Sequence, residues 1–437
     1  MQLKLSLLII GFGLSFPGYA LDLITAYQDA RQQDPVFAAA QATWQAGQEK
    51  LPQGLALLLP TVGVAANTTY NDADSQIGGQ RKFNANGYTI TASQPLYRKQ
   101  NFASYEQAKY QVTQANAQFG VAQQDLVLRV AQAYFDVLLA QDNVALSAAQ
   151  KTAIGEQLAQ AKRNFEVGTA TITDTHEAQA RYDLVVSQEI AAGSDLEIKR
   201  HAMEQIIGKL PDQLKALGPT MPLLQPEPGN MDAWVAVATR DSLQVQIQQA
   251  ALEIAREEVE RNRAGHYPTL DVVATYGDNT SLNTTSIGSA SNESKVSTIG
   301  LQLNFPIFTG GSVNSRVREA LANEEKARQD LENTRRTAAQ QARQAFLGVA
   351  NGTAQVKALE QALVSSQSSL DSSKLGQEVG VRTSVDVLNA QQQLFSARRD
   401  LFQARYNYLL NRLRLKAAAG SLGVDDMQVI NQYLTQP

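Results

Sequence analysis

No proline interrupts the chain between Pro95 and Pro211, or between Pro306 and the C-terminal Pro437. Both stretches are rich in Ala, Gln, Leu, Glu and Arg, residues that lose little side-chain freedom in a helix. Between Arg98 and Glu166 nothing forces a break, which predicts one helix on the order of 100 Å long at about 1.5 Å per residue. Ordinary globular helices run about 10–14 residues. The apolar pattern supports coiled-coil packing: Val112, Phe119, Leu126 and Ala133 recur at heptad spacing, with Ala108, Ala115 and Ala122 interleaved. These alanines are small enough to let helices approach closely. The second long stretch carries a sparser set, Val356, Leu359, Leu363 and Leu370, so many of its positions are expected to face water.

The chain also repeats itself once. Leu59-Pro60-Thr61 recurs as Tyr267-Pro268-Thr269, and Gln94-Pro95-Leu96-Tyr97 as Phe305-Pro306-Ile307-Phe308. Glu166-Val167-Gly168 with Asp174 recurs as Glu378-Val379-Gly380 with Asp386. The offset is about 210 residues, far beyond the roughly 20–50 of a solenoid, so this is a duplicated half. Gly168 and Gly380 suit the left-handed C-cap that ends a helix. Thr171-x-x-Asp174 and Thr383-x-x-Asp386 then resemble capping boxes that open the next one. Each half therefore reads as a long helix, a tight turn and a return to about Gly208 or Gly420. The expected layout is a first repeat at 21–210, a proline-rich linker at 211–229 and a second repeat at 230–437. The linker holds Pro211, Pro219, Pro222, Pro226 and Pro228.

Ahead of each long helix the pattern changes to period two. Val62, Val64, Ala66, Thr68 and Tyr70 alternate with polar or small residues, as do Tyr88, Ile90 and Ala92, and Leu270, Val272, Ala274 and Tyr276. In the fourth run Ile299, Leu301, Leu303 and Phe305 share one face, with Gln302 and Asn304 opposite. These are strands of roughly 10–12 residues, close to the 9–11 that a tilted strand needs to cross a bilayer. Pro60, Pro95, Pro268 and Pro306 are expected at the four strand–helix junctions.

Residues 1–20 read as a secretory signal. Lys4 supplies the positive start, Leu5 to Phe16 the short apolar stretch, and Gly18-Tyr19-Ala20 the cleavage site, so the mature chain is expected to begin at Leu21. There is no cysteine, which excludes disulfides, thiolate metal sites, cysteine nucleophiles and an acylated N-terminal cysteine. The charge balance, 38 Lys+Arg against 42 Asp+Glu, excludes the basic excess of a nucleic-acid binder. No P-loop, HExxH, glycine-rich strand–helix fingerprint or G-x-S-x-G elbow occurs, so no enzyme and no cofactor is expected. Gly310-Gly311 is a turn opening a helix, without a phosphate-binding lysine. His176, His201 and His266 lack metal-ligand spacing.

Two hairpins give four strands and two open edges, which a bilayer does not tolerate because the edge backbone finds no partner. Copies of the chain must therefore complete a barrel. Two copies would give eight strands, typically filled by side chains; three would give twelve and leave room for a lumen. The expected fold is thus a mixed α+β membrane protein: four transmembrane strands per protomer in a twelve-stranded trimeric barrel, continued by a coiled-coil helical tunnel. Gln302 and Asn304 would face the lumen, and Leu301, Leu303 and Phe305 the lipid. The competing reading is a periplasmic coiled-coil scaffold or adaptor, which would share the signal and the long helices but not need four membrane-length alternating runs.

Over its whole mature length the sequence resembles the TolC family of outer-membrane efflux and secretion channels. The match rests on ordered pieces: Ala26-Tyr27-Gln28-Asp29-Ala30-Arg31, Val167-Gly168 with Ile172-Thr173-Asp174, and Gly310-Gly311. It continues through Val379-Gly380-Val381-Arg382-Thr383, Val385-Asp386-Val387-Leu388 and Ala404-Arg405-Tyr406-Asn407-Tyr408-Leu409. The resemblance implies a homotrimer in the Gram-negative outer membrane, extending into the periplasm as a passive duct for small-molecule efflux or type I protein secretion. It also implies a periplasmic adaptor (membrane fusion protein) and an inner-membrane RND or ABC transporter that supplies the energy. Arg382, Thr173 and Asp174 match members of the family's polar links at a closed periplasmic tip, and Asp386 matches one of its aspartate rings. Asn389 stands where a second aspartate is expected and Gln377 where a tyrosine link is expected. Asp174 and Asp386 also have a plain reading as helix caps, and the two roles can coexist.

Overall fold

The computed structural model describes residues 20–75, 79–285 and 288–435. The expected secretory signal lies outside the described residues except for Ala20. The chain opens with α1 (Leu23–Gln33), α2 (Pro35–Gln48) and α3 (Lys50–Ala56). The strands β1 (Thr61–Ser75) and β2 (Gly79–Tyr97) follow, then α4 (Lys99–Glu166) and its return α5 (Ile172–Ile207). After the short β3 (Ala216–Leu217) a similar order recurs. It runs α6 (Met231–Asp241), α7 (Leu243–Arg263), β4 (Thr269–Thr285), β5 (Gly288–Asn304), α8 (Ser312–Glu378) and α9 (Ser384–Ala418). The last elements are α10 (Val424–Asn431) and β6 (Leu434–Thr435). The two proline-free stretches thus hold helices of 68 and 67 residues, each with a return of about half that length, 36 and 35 residues.

The chain divides into two compact units, one of them built from Ala40–Val121 and Ala238–Ala339. Its sheet has the antiparallel order β1-β2-β4-β5, which leaves β1 and β5 as edges in the single chain. The strands are 15, 19, 17 and 17 residues long, longer than the expected 10–12. Pairing continues past Tyr70 into Asn71↔Phe83 and Asp72↔Lys82, where apolar alternation has already ended. Backbone hydrogen bonding does not require that alternation, so the pattern undercounts the strand. Pro95 is not at a junction but inside β2, where the register shifts between Pro95 and Tyr97. That irregularity absorbs a residue without an amide hydrogen.

Beneath the sheet, small residues set the helix spacing. A Cβ on Gly47 would lie 2.5 Å from the Ala115 Cβ, and one on Gly54 would lie 2.7 Å from the Ala108 Cβ. Two glycines and two alanines at matching seven-residue intervals let α2 and α3 lie directly on α4, and Trp44 stacks on Phe119 at 5.1 Å between ring centroids. On the other side Val245 and Leu252 of α7 pack with Leu331 and Ala338 of α8. Arg98, between β2 and α4, holds Asp271 of β4 through two hydrogen bonds of 2.8 Å, with the carboxylate buried.

The other unit contains the segment up to Ala39, Ala122–Val237 and Gln340 onward. Its core includes Leu23, Tyr134, Phe135, Met203, Ile207, Tyr408, Leu413, Met427 and Ile430. The expected linker is not a bare tether: β3 pairs with β6, and Leu21 bridges to Leu214. The one proton of the Tyr134 hydroxyl is shared between the carbonyl oxygens of Leu21 and Lys215, at 3.0 and 2.8 Å. Along α8, Val349, Val356 and Leu370 are buried at heptad intervals, and Leu363 packs on the same seam, as the sparse apolar pattern predicts. No helix among the described residues is long and apolar enough to cross a membrane.

Candidate functional site

Two features are candidates for a functional site, and the first is the sheet. Directly paired residues of an antiparallel sheet point to the same face. Val64↔Ile90↔Tyr276 and Val62↔Ala92↔Ala274↔Ile299 therefore share a face, as do Val272↔Leu301 and Leu270↔Leu303. This face is exposed in the single chain: Ile299, Leu301 and Leu303 are 81%, 71% and 68% accessible, although apolar. Tyr88 and Tyr276, with ring centroids 6.2 Å apart, stand toward one end of the band. The opposite face is small and polar, with Thr91↔Thr275↔Thr298 and Asp271↔Gln302 in register. The alternation expected of Leu301 and Leu303 against Gln302 and Asn304 is thus a property of the whole sheet.

The second feature is the pair of helical turns. At the first, Gly168 takes φ +79° and Thr169 N donates to Asn164 O at 2.8 Å, closing the end of α4. At the second, Gly380 takes φ +80° and Val381 N donates to Gly376 O at 2.8 Å. Both glycines adopt the left-handed conformation for which their lack of a Cβ suits them. Thr171 and Asp174 then form a reciprocal capping box, as do Thr383 and Asp386. Hydrogen bonds from the Thr171 hydroxyl and amide hold the Asp174 carboxyl below the usual carboxylate range. For Asp386 the causes are the amide and hydroxyl of Thr383, with the charge of Arg382 adding to them. Both carboxylates are therefore anionic at neutral pH.

The structure brings some of the expected residues together and leaves others apart. Asp174 joins the two turns, because its Oδ1 accepts from the Ser384 hydroxyl at 3.1 Å. Asn389 lies one turn along α9 from Asp386, and its Oδ1 accepts from Arg181 Nη2 at 3.1 Å. Arg181 also donates to Gln392 on α9 and to Glu177 on its own helix. Below these contacts Ile154, Leu158, Ala178, Val185 and Leu388 form one apolar cluster, which fixes α4, α5 and α9 against each other. Arg382 and Thr173 differ: no side-chain hydrogen bond or ion pair within the protomer is found for either among the described residues. The sequence reading missed Ser384, Arg181 and Gln392. Arg181 follows Asp174 by seven residues, so it lies on the same helical face, and that spacing was the available signal.

No group of acidic or histidine side chains with metal-binding geometry occurs among the described residues. The chemistry on offer is charge, hydrogen bonding and an exposed apolar face.

Comparison with known proteins gives a consistent result. The family described as "Outer membrane efflux protein" matches residues 26–209 and 234–421. The outer membrane protein TolC of Vibrio cholerae is 33% identical over 424 residues, covering 96% of this chain and 95% of that protein. The proteases secretion protein PrtF of Dickeya chrysanthemi is 31% identical over 439 residues, covering 98% and 94%. The crystal structure of the outer membrane protein VceC from Vibrio cholerae superposes with a TM-score of 0.78 at 18% identity, covering 91% of this chain and 96% of that one.

Proposed function

The chain belongs to the outer membrane efflux protein family, and from that premise we propose that three copies assemble their sheets into one twelve-stranded barrel. The protein is an outer-membrane channel of efflux and type I secretion systems, reaching from that membrane into the periplasm. The observation that carries the barrel is the exposed apolar face on a sheet with two open edges. In a bilayer the edge β5 of one protomer pairs with the edge β1 of the next, and closure satisfies every edge. The apolar face then meets lipid, and the threonine-rich face lines an aqueous lumen. The alternative of a periplasmic scaffold is not favoured, since such a protein has no use for that face.

The duplicated layout, 21–210 and 230–437 around the linker 211–229, is supported by the recurring element order and by the two stretches that match the family. Cleavage of residues 1–20 precedes insertion. The long helices continue the barrel as a tunnel, and the turns at Gly168 and Gly380 form its periplasmic tip. At that tip three copies of Asp386 make a charged ring, with Asn389 one turn further along. Arg382, Thr173 and Asp174 form links between protomers that hold the tip closed. That neither the Arg382 nor the Thr173 side chain has a hydrogen bond or ion pair among the described residues supports this role.

The duct is passive and not catalytic; an inner-membrane RND or ABC pump acts through a periplasmic adaptor. The name of PrtF, a proteases secretion protein, supports polypeptides as one substrate class, and small molecules are the other that we propose. Single-channel recording of the detergent-solubilised protein in planar bilayers tests the reading. Discrete long-lived steps of small conductance are the expected result. A protein that stays soluble without detergent and fails to insert would refute it.

A further inference from the structure

We propose that Arg181 sets the ion selectivity of the closed tip, as a fixed cation that Asn389 orients without neutralising. The guanidinium crosses from α5 to α9, donating through Nη2 to Asn389 Oδ1 at 3.1 Å and through Nη1 to Gln392 Oε1. Both acceptors are neutral amides. The ion-pair partner is Glu177, one turn back on α5, whose Oε1 lies 3.1 Å from Nε. The two terminal nitrogens therefore point at α9, which offers them neutral acceptors, while Glu177 opposes the guanidinium from the α5 side. The Arg181 side chain is 27% exposed, so water and salt screen its charge less than they would a fully exposed one.

An aspartate in the place of Asn389 would accept the same hydrogen bond and set a second carboxylate, beside that of Glu177, against the guanidinium. Asparagine keeps the geometry and leaves the cation. Asp386 and position 389 are neighbours on one face of α9, three residues apart. In the assembled tip the anionic ring of Asp386 is consequently bordered by a ring of three Arg181 cations. A cation close to a narrow passage lowers the local concentration of permeant cations and raises that of anions. The inference rests on the reading that Asp386 and Asn389 line the constriction, and its test separates the two ideas.

The experiment measures the reversal potential in a KCl gradient across planar bilayers holding the full-length trimer, for wild type, R181Q, R181K and D386N. Glutamine keeps hydrogen-bonding reach toward Asn389 without the charge, and lysine keeps the charge. R181Q is expected to raise the K⁺/Cl⁻ permeability ratio about two- to threefold, the scale of one unit charge per protomer in a hydrated passage. R181K should stay at the wild-type ratio, and D386N should lower the ratio. A shift in D386N with none in R181Q would overturn the role of Arg181. R181K behaving like R181Q would also overturn it, because geometry and not charge would then be responsible. No shift in D386N would remove the constriction reading itself, and the proposal with it.

Discussion

Arg382 stands beside the second turn, where its amide donates to Gly376 O at 3.0 Å and its charge acts on Asp386, but its guanidinium has no hydrogen bond or ion pair among the described residues. Its first-repeat counterpart is Ala170, so the arginine is not a requirement of the turn itself. If it links protomers, R382A removes three contacts from the closed trimer at once. The expected outcome is a several-fold rise in single-channel conductance with an unchanged melting temperature. Unchanged conductance would remove Arg382 from the latch. Gly380 makes the opposite case, in which the local fold is the cause. At φ +80° an alanine costs about 1–2 kcal/mol per protomer. G380A should therefore increase proteolytic nicking at the second turn, read by limited proteolysis, and G168A should do the same at the first. Resistance equal to wild type in both would mean the turns tolerate a changed conformation.

At the scale of elements, α4 and α9 are joined by a polar contact within an apolar seam. The Tyr406 hydroxyl donates to Asp142 Oδ2 at 2.6 Å, beside the stacked rings of Phe135 and Tyr406. Burial pushes the Asp142 carboxyl above its ordinary value, against the opposing influence of Tyr406 and Arg405. A carboxyl whose pKa is raised by folding favours the folded state below its unfolded pKa of about 3.9, and that contribution is lost as pH rises through the folded value. D142N accepts the same hydrogen bond without the charge. It should melt about 2–4 °C above wild type at pH 7 and converge with it near pH 3.5, as followed by circular dichroism. A gap that persists at acid pH would assign the effect to packing. The elements themselves were largely legible in the sequence. Prolines bounded the long helices, Gly168 and Gly380 ended them, and Thr171 and Thr383 opened their returns, because each of these devices is local. The full length of the strands was not legible, since beyond Tyr70 the ladder runs through polar residues that carry no alternation. The Arg181–Asn389 contact was equally hidden, because it joins residues 208 positions apart whose types do not require each other.

For the whole molecule, the decisive physical fact is that the two faces of one sheet have opposite chemistry. Leu301 and Gln302 are adjacent in β5, pair with Val272 and Asp271 respectively, and so point to opposite faces. A soluble sheet buries its apolar face against helices, whereas here that face is exposed and its edges are unpaired in the single chain. In the proposed barrel, insertion as a closed trimer would resolve both conditions, and the same substitution on either face separates the outcomes. L301K places an ammonium toward the hydrocarbon, at about 2–4 kcal/mol per protomer near the midplane. It should reduce the trimer recovered from outer membranes many-fold. Q302K puts the same charge on the opposite face, which in the proposed barrel lines a lumen where water would solvate it. That variant should assemble in wild-type amounts and shift the reversal potential toward anions. Semi-denaturing gels of membrane fractions read the first effect and bilayer recordings the second. Equal assembly of the two variants would mean that the apolar face does not meet lipid, and the barrel would then have to be built another way.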